Sequence, residues 1–345
     1  MKKFLAVILA VCTLAFGAFA FAACDDGSGN GTGGDGDTTV NVYLPDGTPA
    51  LALAKVITEG VEIKGYTAKI NIIAASDIGK VFATTDADLA IMPTIGAATN
   101  YNTGMKIQLV SSNVFGNLFI VGVNGSAASL ADLKGKVVMT TAATTIQLFQ
   151  YLLKANNINS QMGKPNGTPD SETVYLDSYD AGNQIIQALS VAEENKTEAY
   201  GVLGEPQVTM CQAKVKSANI AVDFQKEWKT LTTYDGYPQA SLIVKNSFAA
   251  EHPGFVTTFA AALKDNGTWL AQEQNIAAFQ AALVEYNKTA AYQSTLANAN
   301  LTTETIARCN LNYLSAADVK QSVIDYIGRL NSAIQLKDDF FFAAA

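Results

Sequence analysis

Along the chain, short runs of β-branched and aliphatic residues alternate with stretches whose apolar positions recur at helical spacing. Val40-Asn41-Val42-Tyr43-Leu44-Pro45 reads as a strand closed by Asp46-Gly47. Thr48-Pro49 then offers an N-cap and a proline for the first turn of a helix over 50–58. The unit returns as a strand over 68–75, a cap at Ser76-Asp77 and a short helix over 78–83. A strand over 88–92 follows, with Pro93-Thr94 opening a helix to about residue 101, and then a strand over 106–110. The apolar segment 119–123 leads through Ser129-Leu130-Ala131-Asp132-Leu133-Lys134-Gly135-Lys136 into a second series. Strands are expected there at 136–139, 173–176 and 199–203, and helices at 144–155 and 180–190. After Tyr237-Pro238 comes a strand over 239–244, and from Pro253 onward the pattern is helical. Strands alternating with helices predict an α/β chain whose mostly parallel sheets are covered on both faces. Two such series predict two lobes, one from residues 40–124 with 238–345 and one from 125–237, joined by two crossovers. No internal repeat stands out.

The N-terminus is a different kind of sequence. Lys2 and Lys3 precede an uncharged apolar run from Phe4 to Ala23, the layout of an export signal over residues 1–23. Phe21-Ala22-Ala23-Cys24 resembles a bacterial lipobox, with Phe21 in place of the usual aliphatic residue. On that resemblance Cys24 is the lipidated first residue of the mature protein. An apolar run of this length can also just span a bilayer, so an uncleaved anchor is the second reading. Both place the body outside the cytoplasm, lipid-anchored at the extracytoplasmic face of the cell membrane on the first. Residues 24–39 form a Gly- and Asp-rich flexible leash. Within it Gly29-Asn30-Gly31-Thr32-Gly33-Gly34 matches a dinucleotide-binding spacing, but no strand precedes it and no helix follows.

Composition narrows the chemistry. The 345 residues are 49% hydrophobic and 16% charged, enough for sizeable cores. Beyond residue 37 the chain carries 21 basic and 27 acidic side chains, which argues against a nucleic-acid partner. His252 is the single histidine and precedes Pro253, where a helix cap is its natural role. With it stand Cys211 and Cys309, at no ligand-like spacing, so no metal site is expected. The two thiols are either free and buried or paired. No nucleophile elbow, Walker motif or His-Glu-x-x-His is present, and neither enzymatic activity nor a cofactor is expected.

Open α/β sheets bind ligands beyond the carboxyl ends of their strands, where helix N-termini converge. Those positions here are Asp46, Gly47 and Thr48; Pro93 and Thr94; Ser111, Ser112 and Asn113; Thr141, Thr144 and Thr145 in the run 140–145; and Glu205. Each hydroxyl either contacts ligand or only caps a helix, although the four hydroxyls of 140–145 exceed what one cap needs. Glu205 is placed to accept from an amine, to hold the hinge, or to sit in a helix's first turn. Tyr43, Tyr101, Tyr179, Tyr234 and Tyr237 are the candidates to stack on a ring, with Tyr237 at the crossover carried forward. The only arginines, Arg308 and Arg329, fall in the helical C-terminus, away from this set. The absence of an arginine fork points to a neutral or weakly charged, heterocyclic solute, such as a pyrimidine-like nutrient, over a strong anion.

Several stretches carry a family resemblance: Leu44-Pro45-Asp46-Gly47-Thr48-Pro49-Ala50-Leu51-Ala52-Leu53-Ala54, Asp88-Leu89-Ala90-Ile91-Met92-Pro93, the segment 129–136, Gly204-Glu205-Pro206, and the segment 240–253. Together, behind a lipobox, they resemble the nitrate/sulfonate/thiamine-precursor type of substrate-binding lipoprotein, the NMT1/THI5-like group. The resemblance implies a type II periplasmic-binding-protein fold with the ligand cleft between the lobes. It further implies an ABC-importer receptor that captures a small molecule, docks on the transmembrane subunits of a permease and is held to the membrane by lipid. A ligand-sensing lipoprotein and an enzyme on the same fold are the alternatives.

Overall fold

The computed structural model describes residues 37–343 apart from Ala142; the export segment, Cys24 and most of the leash lie outside the described residues. Twelve strands are described: β1 (Thr38–Pro45), β2 (Tyr66–Ile73), β3 (Leu89–Pro93), β4 (Ile107–Val114), β5 (Leu118–Val123), β6 (Val137–Thr140), β7 (Asn159–Met162), β8 (Thr173–Ser178), β9 (Ala199–Gly204), β10 (Asn219–Asp223), β11 (Ala240–Lys245) and β12 (Leu311–Ser315). They form two six-stranded sheets, ordered β12-β4-β11-β3-β1-β2 and β10-β5-β9-β6-β8-β7. In the first, β1 pairs in parallel with β2 and β3, while β11 runs antiparallel between β3 and β4. In the second, β9, β6, β8 and β7 are parallel and β5 is antiparallel to both its neighbours. The architecture is two-lobed α/β, each lobe a mostly parallel sheet flanked by helices.

Strand period places successive side chains on opposite faces, and here both faces are buried. Leu89 and Ile91 of β3, with Leu242 and Val244 of β11, pack into one core with Phe255, Phe259 and Phe279. Their neighbours Ala90, Met92 and Ile243 face the opposite way. That second core runs on through Trp228, Tyr237 and Tyr326 to Leu118, Ile120, Leu148 and Phe149 of the other lobe. Each such large apolar side chain contributes on the order of 2 kcal/mol by leaving water. The hydrocarbon continuity means the lobes are joined by packing as well as by chain.

The chain crosses between sheets at Phe115-Gly116-Asn117 and again before β11. At the crossings two glycines let the segments touch. Gly116 has φ +94, and a Cβ there would lie 2.8 Å from the Tyr237 ring; a Cβ on Gly236 would lie 2.2 Å from the Phe115 carbonyl oxygen. The helix Ala316–Leu330 makes a third connection, packing on β4 and on the helix Ala143–Ala155 of the second lobe.

Several local expectations change. The helix over 50–58 is broken into Thr48–Leu51 and Ala54–Glu59. The side chain of Asn266 inserts in the gap: its Nδ2 donates to the Leu51 carbonyl at 2.9 Å and its Oδ1 accepts from the Lys55 amide at 2.9 Å. Those two groups would otherwise bond each other across one helical turn. The N-cap is Gly47, with φ 105, rather than Thr48, which is already helical. β4 extends to Val114 instead of stopping at residue 110, because its polar residues find partners inside the sheet. β7, of sequence Asn-Ser-Gln-Met, is a polar edge strand with no apolar alternation to announce it. Cys211 and Cys309 are both buried and free.

Candidate functional site

Strands β1, β2, β3 and β6 all end at the seam between the lobes, where β5 and β11 begin. A cavity of about 160 Å³ lies at this meeting point. Its walls come from Pro45, Asp46 and Pro49 after β1, Ala75 and Ile78 after β2, and Pro93 and Ile95 after β3. The second lobe contributes Leu118, Thr144, Thr145 and Leu148, and the segment entering β11 contributes Gln239 and Ala240. Tyr326, from the long C-terminal helix, completes it. The lining is largely hydrocarbon and carries one charged residue, Asp46. That carboxylate accepts from the Ser294 hydroxyl at 2.6 Å, the Thr295 amide at 2.9 Å and the Thr295 hydroxyl at 2.6 Å, holding the 3-10 turn Thr295–Asn298 against the cleft.

Of the residues singled out from sequence, Asp46, Pro93, Thr144 and Thr145 are brought together on this cavity. Gly47 shapes the turn beside it. Thr141 is half-buried, and its carbonyl accepts from the Ser178 hydroxyl at 3.4 Å. The others are placed elsewhere. Thr94, the first residue after β3, and Ser112 of β4 are fully buried and meet through Ser241 of β11, in a chain of hydroxyls with contacts of 2.8 and 2.7 Å. Ser111 donates to Asn113 at 3.0 Å, both buried within β4. Tyr237 is buried behind the cavity, where its hydroxyl donates to Gln225 at 2.8 Å and its ring stacks on Tyr326.

Thr48 and Glu205 meet each other at the hinge. The Thr48 hydroxyl donates to the Glu205 carbonyl at 2.6 Å and accepts from Asn117 Nδ2 at 2.6 Å. Asn117 in turn makes two bonds with the Gln239 side chain, its backbone N–H donating to Gln239 Oε1 at 2.9 Å and its Oδ1 accepting from Gln239 Nε2 at 2.7 Å. The Glu205 carboxylate, wholly buried, pairs with Arg308 Nε at 2.5 Å and accepts from the Thr209 amide at 3.1 Å. Arg308 thus reaches a residue of the predicted site after all, from the helix Thr303–Arg308, and is taken up by it. His252 stands at the N-cap of the helix Pro253–Ala262, but its ring makes no cap bond and pairs with the Tyr66 hydroxyl at 2.9 Å.

Sequence reasoning missed Gln239, Tyr326 and the aliphatic walls. Gln239 had a usable signal, following Tyr237-Pro238 at a crossover. Tyr326 had none: it lies within an amphipathic helix whose apolar face reads as core. The other tyrosines first considered are engaged away from the cavity, Tyr43, Tyr101 and Tyr234 each donating to an aspartate. Among the described residues no three His, Cys, Asp or Glu side chains converge as a metal site requires and no helix is long and apolar enough to cross a membrane.

Two six-stranded α/β lobes, doubly crossed and enclosing a cavity at their strand ends, define a two-lobed binding-protein fold. The chain belongs to the NMT1/THI5-like family, whose model matches residues 59–277. Solved structures share the fold. An ABC transporter protein from Parabacteroides distasonis superposes with a TM-score of 0.68 at 20% identity, over 90% of this chain and 100% of that one. A ligand-binding component of an ABC-type import system from Staphylococcus aureus, with zinc bound, gives 0.60 at 12% identity, over 89% and 97%. The periplasmic aliphatic sulphonate binding protein SsuA from Escherichia coli gives 0.59 at 13% identity, over 88% and 96%. No curated protein sequence matches the chain.

Proposed function

We propose that this chain is the extracytoplasmic solute-binding lipoprotein of an ABC importer, which captures a small molecule in the cleft and delivers it to the permease's transmembrane subunits. The observation that carries the reading is the cavity itself, enclosed by both lobes at the carboxyl ends of their parallel strands. A site built from two halves is filled by a solute and released by parting the halves, the action an import receptor needs. Family membership and the three structural neighbours, each described as part of an ABC system or as a periplasmic binding protein, support it. Gly47, Thr48, Thr94, Thr141 and Glu205 serve this reading by shaping and bracing the cleft, with Asp46, Thr144 and Thr145 at its wall.

The test is native purification from a membrane fraction followed by mass spectrometry of what is released on denaturation. A stoichiometric small solute is expected; repeated purification with none, and no ligand-induced change in radius of gyration, would remove the proposal. Attachment is tested separately. Cys24→Ser should release the protein from membranes or leave it unprocessed, and a variant that remains acylated and membrane-bound would refute anchoring through Cys24.

A further inference from the structure

The dipeptide Asn-Gly occurs four times in the sequence, at 30–31, 124–125, 166–167 and 266–267, and the first lies outside the described residues. It is the pair most prone to cyclise on itself. Glycine has no Cβ to shield its backbone nitrogen from the asparagine side chain before it, and its backbone turns freely. The fold treats the three described pairs differently. Asn266 is 3% exposed, and both ends of its amide are bonded, to the Leu51 carbonyl and the Lys55 amide. A Cβ on Gly267 would lie 2.7 Å from the Leu311 carbonyl oxygen, so that peptide is hemmed in. Asn124 donates through Nδ2 to the carbonyls of Ala192 at 3.1 Å and Thr197 at 3.2 Å, and a Cβ on Gly125 would lie 2.1 Å from the Tyr200 hydroxyl. Asn166 and Gly167 are exposed and carry no hydrogen bond among the described residues, and a Cβ on Gly167 would meet nothing within 4 Å. We propose that Asn166 is a site of spontaneous covalent modification, converted through a cyclic imide with Gly167 into aspartate and isoaspartate.

The reaction needs only water. The Gly167 backbone nitrogen, having lost its proton, attacks Asn166 Cγ; the new C–N bond forms, the Cγ–Nδ2 bond breaks, and the side-chain nitrogen leaves as ammonia with a proton from water. Water then opens the five-membered imide at either carbonyl. Attack at Cγ gives aspartate and restores the ordinary chain, whereas attack at the main-chain carbonyl gives isoaspartate, with the chain running through Cγ. Asparagine and water thus become a carboxylic acid and ammonia, and the loop gains one negative charge. The surrounding chain accommodates both products. The Gly163 amide donates to the Leu176 carbonyl at 2.8 Å, continuing the β7–β8 ladder, and the Asp170 amide donates to the Tyr175 hydroxyl at 2.9 Å. Between these anchors the one tie among the described residues is the Lys164–Asp177 pair at 3.4 Å, so an extra backbone atom and a charge are absorbed within 164–169. None of these residues lines the cleft cavity, and solute capture is untouched. The product accumulates with the age of each molecule and marks old chains by their charge.

The experiment warms the full-length protein at pH 8, folded and in concentrated urea, and follows each Asn-Gly peptide by mass spectrometry. In the folded protein the peptide carrying Asn166 should gain one mass unit and divide into aspartate and isoaspartate forms. The peptides of Asn124 and Asn266 should lag by about tenfold or more, because each must wait for local opening. In urea all three should react at comparable rates, which assigns the difference to the fold. The rate at Asn166 should rise with pH, since the attacking nitrogen must first lose its proton. Asn166→Ser should abolish the gain in the loop peptide. Modified protein, separated by anion exchange, should melt within about 2 °C of the parent. No gain at Asn166, or a gain no faster than at Asn124 and Asn266, would overturn the proposal. Aspartate without isoaspartate would overturn the cyclic imide. The comparison of the three peptides needs no variant and stands if Asn166→Ser does not fold.

Discussion

Replacing Arg308 by leucine should unfasten the C-terminal helices from the second lobe. Glu205 has no exposed side-chain surface, and Arg308 is 20% exposed. With the guanidinium gone, the carboxylate keeps only Thr209, through its amide at 3.1 Å and its hydroxyl at 3.0 Å. Removing one partner of a buried ion pair costs about 3–5 kcal/mol. The partial exposure of Arg308 puts this case at the lower end, about 3 kcal/mol. The second pair of Arg308, to Glu304 at 2.6 Å, adds little because Glu304 is 79% exposed. At roughly 3 °C per kcal/mol for a chain of this size, melting should fall by about 9 °C. The assay is a double-mutant cycle in urea, adding Glu205→Leu and the double variant. The double variant should recover most of the loss, because no uncompensated charge remains. A single variant costing less than about 1 kcal/mol, or a double variant no better than the single, would refute the reasoning.

Asn266→Ala removes the bridge between the Leu51 carbonyl and the Lys55 amide, and should cost about 2 kcal/mol in urea melts. Gly236→Ala forces a methyl into the Phe115 carbonyl and should cost on the order of 1–3 kcal/mol, with serine at least as harmful. With Cys12 and Cys24 both replaced by serine, neither remaining thiol should react with a disulfide reagent at pH 8 until the protein unfolds. Burial pushes Cys211 up to about 11 and Cys309 higher still. Trp228, packed against Tyr326 and Tyr237 behind the cavity, should report occupancy by a change in emission, whereas Trp228→Phe should silence most of that signal, leaving Trp269.

The fold was legible because its signals are local and redundant. Leu89 to Pro93 and Leu242 to Val244 are apolar on both faces, and only a strand covered on both sides satisfies such a run, whereas Val40, Val42 and Leu44 alternate with half-buried Asn41 and Tyr43. The breaks in that legibility share a cause. The interrupted helix after Pro49 depends on Asn266, more than 200 residues away in sequence, and no local propensity encodes that contact. β7 is held by its neighbour β8 rather than by apolar alternation of its own. Ser111-Ser112-Asn113 reads as a strand's end by composition, but Ser241 on the facing strand gives Ser112 a partner and the strand continues.

The site was legible in place more than in membership. Strand ends and helix starts were the right neighbourhood, and the residues found there divide according to which way each turn faces. Thr48 and Glu205 turn toward the hinge because Asn117 and Arg308 wait there, 69 and 103 residues distant in sequence. Asp46 is on the wall, but its carboxylate turns away, to Ser294 and Thr295. Polar groups recruited as braces are no longer free to bind, so prolines, isoleucines, leucines and alanines make up most of the cavity wall. An apolar wall binds by shape and discriminates weakly between molecules of one size. Selectivity then falls to the few polar groups that still face inward, and each deletion among Thr144, Thr145 and Tyr326 should alter which solute is held more than how stably the chain folds.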